Sequence, residues 1–374
     1  MLKWIKAVDI MNNTQRHSEK DSGPETVPSM EEQVGRMLIV GFRGTDIHDG
    51  DPLSDDLRSG RIGGVVLFDR DVQIADSDRN ISNPKQVRRL IDGLKSRSRH
   101  PMLVGVDQEG GRVSRLNPRH GFPETVSQQY LGERNDPSLT NRYGESSANL
   151  LSELGFNLNF SPCVDLNIDP DGPAIGRFGR SFSADPEITV RHARIVLESL
   201  RKHGILPVLK HFPGHGSAGG DTHLGLVDVS ASWSETELIP FHRLIAEADP
   251  PMIMTAHVFN RHLDPDFPAT LSARIVTDLL RKKMGFKGVV VTDDLDMKAV
   301  SNRFGLEKTV ELAVSAGVDI LMFGNNLRYD PGIAERVVGI ILGLLDRGRI
   351  SPDRIRESIR RIDAMFRRFR SAPV

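Results

Sequence analysis

From residue 31 onward, short apolar runs alternate with longer segments in which apolar residues recur every three or four positions. The runs cover residues 37–40, 64–68, 102–106, 158–160, 206–209, 252–255, 288–292 and 319–323. Most are continuously apolar, without an alternating polar face, which predicts strands buried on both sides, as in a parallel sheet. The fourth run is short, and Pro207 within the fifth lacks the N–H that a central strand donates. Between the runs, residues 84–97 place Val87, Leu90, Ile91 and Leu94 at helical spacing behind Asn83, a good N-cap residue. Helices are likewise predicted over 184–203, 306–316 and 332–345. Ser351-Pro352 opens a last, basic helix with a cap residue and a proline at its first position.

Strands alternating with helices predict an α/β fold, and eight strands over this length fit a single (β/α)8 TIM-like barrel. A doubly wound open sheet is the alternative, but no Gly-x-Gly-x-x-Gly follows the first strand and no Walker lysine motif is present. The positions of the polar residues favour the barrel. Asp69 and Arg70 follow the second run, Asp107-Gln108-Glu109 the third, Asp165 the fourth, Lys210-His211 the fifth, His257 the sixth and Asp293-Asp294 the seventh. A barrel brings these strand ends into one mouth, where such folds carry their chemistry.

Composition adds little beyond this. In 374 residues, 49 Lys and Arg nearly balance 50 Asp and Glu, so overall charge points to neither nucleic acid nor an anionic membrane. The single cysteine, Cys163, excludes an internal disulfide and agrees with a reducing compartment. Its setting in Ser161-Pro162-Cys163-Val164 suits a small packed hydrophobe better than a nucleophile. Residues 1–30 are expected to form a polar, flexible extension ahead of a catalytic domain over 31–374. Without a signal-peptide core or a membrane-length apolar run, a cytoplasmic, monomeric protein is expected.

The chemistry concentrates in Lys210-His211-Phe212-Pro213-Gly214-His215-Gly216 and, shortly after, Asp221-Thr222-His223. Glycines and proline predict an irregular loop following the fifth strand. His211, His215, Asp221 and His223 could ligate a metal, but His-x-His and His-Glu-x-x-His are absent and Lys210 would repel a dication. No metal or cofactor is therefore expected. No Gly-x-Ser-x-Gly elbow follows any strand, which argues against a serine hydrolase. Glycoside hydrolysis fits better. Asp293, directly after a buried strand, suits a nucleophile, and His223 with nearby Asp221 suits a proton donor, because an imidazole already titrates near neutrality.

These segments resemble glycoside hydrolase family 3, specifically its β-N-acetylglucosaminidases of the NagZ type. The resemblance rests on the histidine-glycine segment above and on three others: 107–116 (DQEGGRVSRL), Gly179-Arg180-Ser181-Phe182, and Gly285 through Leu295. It implies a single barrel in which Asp293 is the nucleophile, His223 the acid/base and Asp221 its partner. Asp107, Arg115, Arg180, Lys210 and His211 would hold the terminal N-acetylglucosamine. Asp294 would support Asp293, Glu109 and Arg112 would tie their loop together, and His215 would shape the donor loop. The implied activity is retaining removal of terminal β-N-acetylglucosamine, with a muropeptide carrying 1,6-anhydro-N-acetylmuramic acid as substrate in cell-wall recycling. A family 3 enzyme acting on another β-glycoside or transferring to phosphate, and a catalytically silent sugar-binding barrel, stay open. Asp296, Ser183 and Leu224-Gly225-Leu226 depart from the pattern of many relatives and leave leaving-group preference open.

Overall fold

The computed structural model describes residues 28–74, 77–220, 225–297, 300 and 303–370. Eight parallel strands make one curved sheet. They are β1 (Leu38–Gly41), β2 (Gly64–Leu67), β3 (Leu103–Val106), β4 (Leu158–Asn159), β5 (Leu206–Phe212), β6 (Met252–Thr255), β7 (Val289–Thr292) and β8 (Leu321–Phe323). Hydrogen-bonded neighbours run in the order β7-β6-β5-β4-β3-β2-β1-β8. A parallel bridge between Val291 and Ile320 joins the two ends, with the Thr292 N–H donating to the Ile320 carbonyl at 3.0 Å. The sheet is thus a (β/α)8 barrel, as the alternation of runs and helices predicts.

Every residue of these strands is buried, which is why the runs show no polar face. Pro207 is tolerated for a local reason. Leu206 and Val208 donate toward the β4 side, to Asn157 and Ser161, and pairing with β6 begins only at Val208. The missing N–H of Pro207 faces the other way and leaves no ladder bond unmade. At the β1–β8 seam the backbones touch: a Cβ at Gly41 would stand 1.9 Å from the Gly324 carbonyl oxygen.

Helices begin where sequence signals place them. Asn83, Asp136, Asp185 and Ser351 each accept from a backbone N–H of the first turn, and each is followed by proline. Helices Pro84–Arg97 and Leu306–Ala316 have the predicted bounds. Helix Pro137–Leu154 is poorly signalled by apolar periodicity, because Thr140, Gly144 and Ala148 stand in its buried face ahead of Leu151 and Leu154. Gly144 lies so close to helix Pro186–Lys202 that a Cβ would meet Ser199 Oγ at 2.8 Å. Among the described residues, no helix is long and apolar enough to cross a membrane.

The closing helix Pro352–Arg370 is not merely a solvated basic face. Fully buried Asp319, at the foot of β8, accepts from the Val290 N–H at 3.0 Å and from Ser358 Oγ at 2.8 Å. It also pairs with Arg281, Arg354 and Arg361, the last at 2.9 Å. One carboxylate therefore ties the last helix to β7 and β8, the strands beside Asp293. Replacing Asp319 by alanine strands buried guanidinium groups and should lower unfolding free energy by about 3–5 kcal/mol. Urea unfolding measures this; a change below about 1 kcal/mol would mean the arginines find water instead.

Candidate active site

The buried run of β5 does not end at Leu209, as hydropathy predicts, but continues through Lys210-His211-Phe212. Lys210 is 1 % exposed inside the barrel mouth. It can be there because its ammonium meets two carboxylates, Asp107 Oδ1 at 2.8 Å and Glu109 Oε1 at 2.6 Å. Asp107 lies one residue past β3, and Glu109 lies in a hairpin formed by Gln108–Gly110 and Val113–Ser114. Glu109 also grips Arg180 through two parallel bonds, Nε to Oε2 at 2.9 Å and Nη2 to Oε1 at 2.7 Å. Arg115 approaches Asp107 at 3.5 Å and Asp69 at 3.8 Å. Burial disfavours the Asp107 carboxylate, but Lys210 and then Arg115 outweigh it and hold the group well below the usual range. For Lys210, burial is likewise outweighed by Asp107 and Glu109, and its pKa rises. The network is therefore fully charged at neutral pH.

A second chain of bonds orients the histidines. His211 Nδ1 lies 2.6 Å from Asp165 Oδ2, and its Nε2 lies 3.2 Å from Arg180. The His215 N–H donates to Asp165 Oδ1 at 2.8 Å. His215 itself is pushed down to about 4 by burial and then by His211, so it is neutral in the folded protein. The Cys163 thiol, pushed well up by burial and by Asp165, donates to Asp165 Oδ2 at 3.2 Å. Cys163, Asp165 and His211 bring possible metal donors within 4.8 Å of one another. A protonated thiol is a poor ligand, and Asp165 already accepts from both neighbours, so the chemistry of the group is that of a hydrogen-bond chain.

Asp293 follows β7 and is partly buried; its Oδ1 accepts the Asp294 N–H at 2.8 Å. Asp294, which lines the same cavity, accepts from Gly324 at 2.8 Å and Asp296 at 3.0 Å, and burial together with Asp296 raises its pKa. Asp296 accepts the Asn325 N–H at 2.8 Å and so braces the end of β8. Asp107, Arg115, Arg180, Lys210, His211 and Asp293 all line one cavity of about 290 Å³ at the mouth. Expected acid/base residues Asp221 and His223 lie outside the described residues.

The stretch leading toward them is clamped on two sides. Gly216 presses against Leu166, where a Cβ would stand 1.8 Å from the carbonyl oxygen. Gly214, at φ +117°, has Glu237 Cβ only 2.6 Å from where its own Cβ would be. Glu237 Oε2 accepts the Gly216 N–H at 2.9 Å, and Trp233 Nε1 donates to the Pro213 carbonyl at 3.1 Å. Glu237 carries no sequence signal: it sits in the polar segment 230–237. Burial, with Asp165 nearby, pushes it up to about 7. Asp165 was visible as a strand-end carboxylate, but its grip on His211 and His215 was not.

A parallel barrel with a strand-end carboxylate in a small cavity rich in charged hydrogen-bond donors has the design of a glycosidase. The sequence pattern of the glycosyl hydrolase family 3 N terminal domain matches residues 29–365, and the chain belongs to this family. It is 34 % identical to a beta-hexosaminidase of Alkalilimnicola ehrlichii over 80 % of this chain and 84 % of that one. It is 32 % identical to beta-hexosaminidase A of Pseudoalteromonas piscicida, again over 80 % of this chain, but spans about half (52 %) of that protein. Its structure is similar to a glycoside hydrolase family 3 beta-N-acetylglucosaminidase of a Paenibacillus species, with TM-score 0.83, 31 % identity, and coverage of 93 % of this chain and 64 % of that one. It is also similar to a beta-N-acetylhexosaminidase of Beutenbergia cavernae, with TM-score 0.79, 28 % identity, and coverage of 90 % and 98 %.

The raised pKa of Glu237 makes a signed prediction. Between the ordinary value of 4.5 and about 7, the unfolded chain has released this proton and the folded one keeps it. Glu237 therefore costs stability as pH rises through that window. Glu237→Gln, which keeps an acceptor for Gly216, should gain on wild type by up to roughly 3 kcal/mol between pH 4.5 and 8. Urea unfolding at both pH values measures it, and a pH-independent difference would mean that Glu237 is charged in the fold.

Proposed function

We propose that the protein is a retaining exo-β-N-acetylglucosaminidase. What carries this reading is one cavity lined by Asp293 together with Asp107, Arg115, Arg180, Lys210 and His211. The last five would hold the terminal sugar, the charged groups by strong hydrogen bonds to its hydroxyls. Glu109 locks Arg180 and Lys210, and Asp165 locks His211, so binding need not order these three. The names of the related hexosaminidases support N-acetylglucosamine as the sugar. In the first step the Asp293 carboxylate attacks the anomeric carbon as the bond to the aglycone oxygen breaks, and His223, partnered by Asp221, gives that oxygen a proton. Water then cleaves the glycosyl–Asp293 ester, passing its proton back to His223. No step written in this way calls on a metal or a cofactor. From the sequence resemblance we infer a muropeptide ending in 1,6-anhydro-N-acetylmuramic acid as substrate, in cytoplasmic cell-wall recycling, by a monomeric enzyme whose catalytic domain follows the extension at 1–30.

Two experiments test the roles. A 2-fluorinated or slow β-GlcNAc analogue should trap a covalent glycosyl ester on Asp293, and peptide mass spectrometry should find it there; a label on Asp294 or Glu109 would move the nucleophile. His223→Ala should lose roughly 100- to 10,000-fold in kcat/KM on a disaccharide, whose poor leaving group needs a proton. On a nitrophenyl glycoside, which leaves unaided, its loss should stay within about tenfold, with Asp221→Ala showing the same pattern more mildly. Equal losses on both substrates would send the acid/base role elsewhere.

A further inference from the structure

The inner end of the mouth cavity is lined by charged groups, whereas its rim is mostly apolar, with Arg112 its one charged side chain among the described lining residues. Among the described residues, Phe178 is the exposed large apolar side chain that also lines the cavity, with 43 % of its surface accessible. Beside it the rim is formed by Arg112, Val113, Pro173 and Ala174. Phe178 ends a tight turn, Gly176–Phe178, whose position is fixed from several sides. The Arg177 and Arg180 N–H groups donate to Gly172 and Ile175 at 3.1 and 3.2 Å, and Gln129 donates to the Gly179 carbonyl at 3.1 Å. The side chain of Arg112 holds the Arg177 carbonyl at 3.0 Å. Two residues on, Arg180 is bonded through Glu109 to Lys210. The backbone that carries the ring is thus tied to the charged network, close to the groups proposed to grip the terminal sugar.

The geometry points to Phe178 as the platform of an aglycone subsite, stacking the pyranose from which the terminal sugar is released. The charged lining residues are buried or half-buried at the inner end of the cavity, and Phe178 and Arg112 are exposed at its open end. With the terminal residue among Lys210, Arg180 and Asp293, the next ring can only lie over the rim. A second N-acetylglucosamine in its ordinary chair presents a face of axial C–H bonds, which an aromatic ring covers while the hydroxyls stay in water. Arg112 stands beside Phe178 as a donor for a hydroxyl or carboxylate of that second sugar. The inference rests on the β-N-acetylglucosaminidase reading and adds the class of group the rim accepts.

The test compares N,N′-diacetylchitobiose with methyl β-N-acetylglucosaminide, two unactivated substrates of which only the first has a second ring. Phe178→Ala should lose roughly five- to tenfold in kcat/KM on the disaccharide, mostly through KM. It should leave the methyl glycoside, and inhibition by free N-acetylglucosamine, unchanged. Phe178→Tyr should restore the disaccharide. Equal losses on both substrates would make the ring a brace of the terminal-sugar site, and no loss on either would make it a bystander; both overturn the platform. A wild-type protein that cleaves neither substrate would instead overturn the parent reading, and this one with it.

Discussion

The structure of the mouth depends on keeping a lysine charged inside a barrel. Moving an ammonium out of water costs several kcal/mol even after relaxation, and only close opposite charge recovers it. Lys210 has two carboxylates within 2.8 Å. Each of these serves a second cation, Asp107 reaching Arg115 and Glu109 reaching Arg180. Five groups from β3, its hairpin, the turn after β4 and β5 are therefore mutually dependent, and no one of them can be removed without leaving a neighbour buried and unbalanced. The same dependence gives the site its rigidity.

Rigidity on one side of the site is matched by a different design on the other. Asp293 is set by the end of a strand and by the Asp294 backbone. The proposed proton donor, His223, instead follows in the chain after the glycine-rich stretch Gly214-His215-Gly216, where the backbone departs from β5. The departure is closely held, by the Leu166 carbonyl beneath Gly216 and by Glu237 and Trp233 against Gly214 and Pro213. The chain returns to regular structure at Val227-Asp228, paired with Val258-Phe259. Glu237 makes this anchorage sensitive to proton uptake near neutrality, since its carboxyl is buried where charge is disfavoured. Asp319 plays a comparable anchoring role at the other end of the barrel, where the closing helix is tied under β7 and β8.

Much of the fold is local and was legible in the residue order. Buried parallel strands read as unbroken apolar runs, and Asn83-Pro84 and Ser351-Pro352 mark helix starts by capping chemistry that needs only neighbours. Strand ends could be listed, and with them Asp107, Lys210, His211 and Asp293, because a barrel sends all such ends to one side. What could not be read was partnership. Hydropathy ends β5 before Lys210, since a lysine counts as polar wherever it stands; only Asp107 and Glu109, some hundred residues earlier, make it a core residue. Helix Pro137–Leu154 is hard to read from periodicity because the first half of its buried face is Thr140, Gly144 and Ala148, and the value of Gly144 appears only against Ser199 of the next helix. Glu237 and Phe178 are unremarkable letters in polar segments until the fold brings one under Gly214 and sets the other on the rim. The sequence by itself thus determined the kinds of element, their order and the inventory of reactive groups, which follow from chain-local sterics and burial. Tertiary structure alone decided which charges neutralise which, because Coulomb and hydrogen-bond energies depend on distances in space that spacing along the chain does not contain.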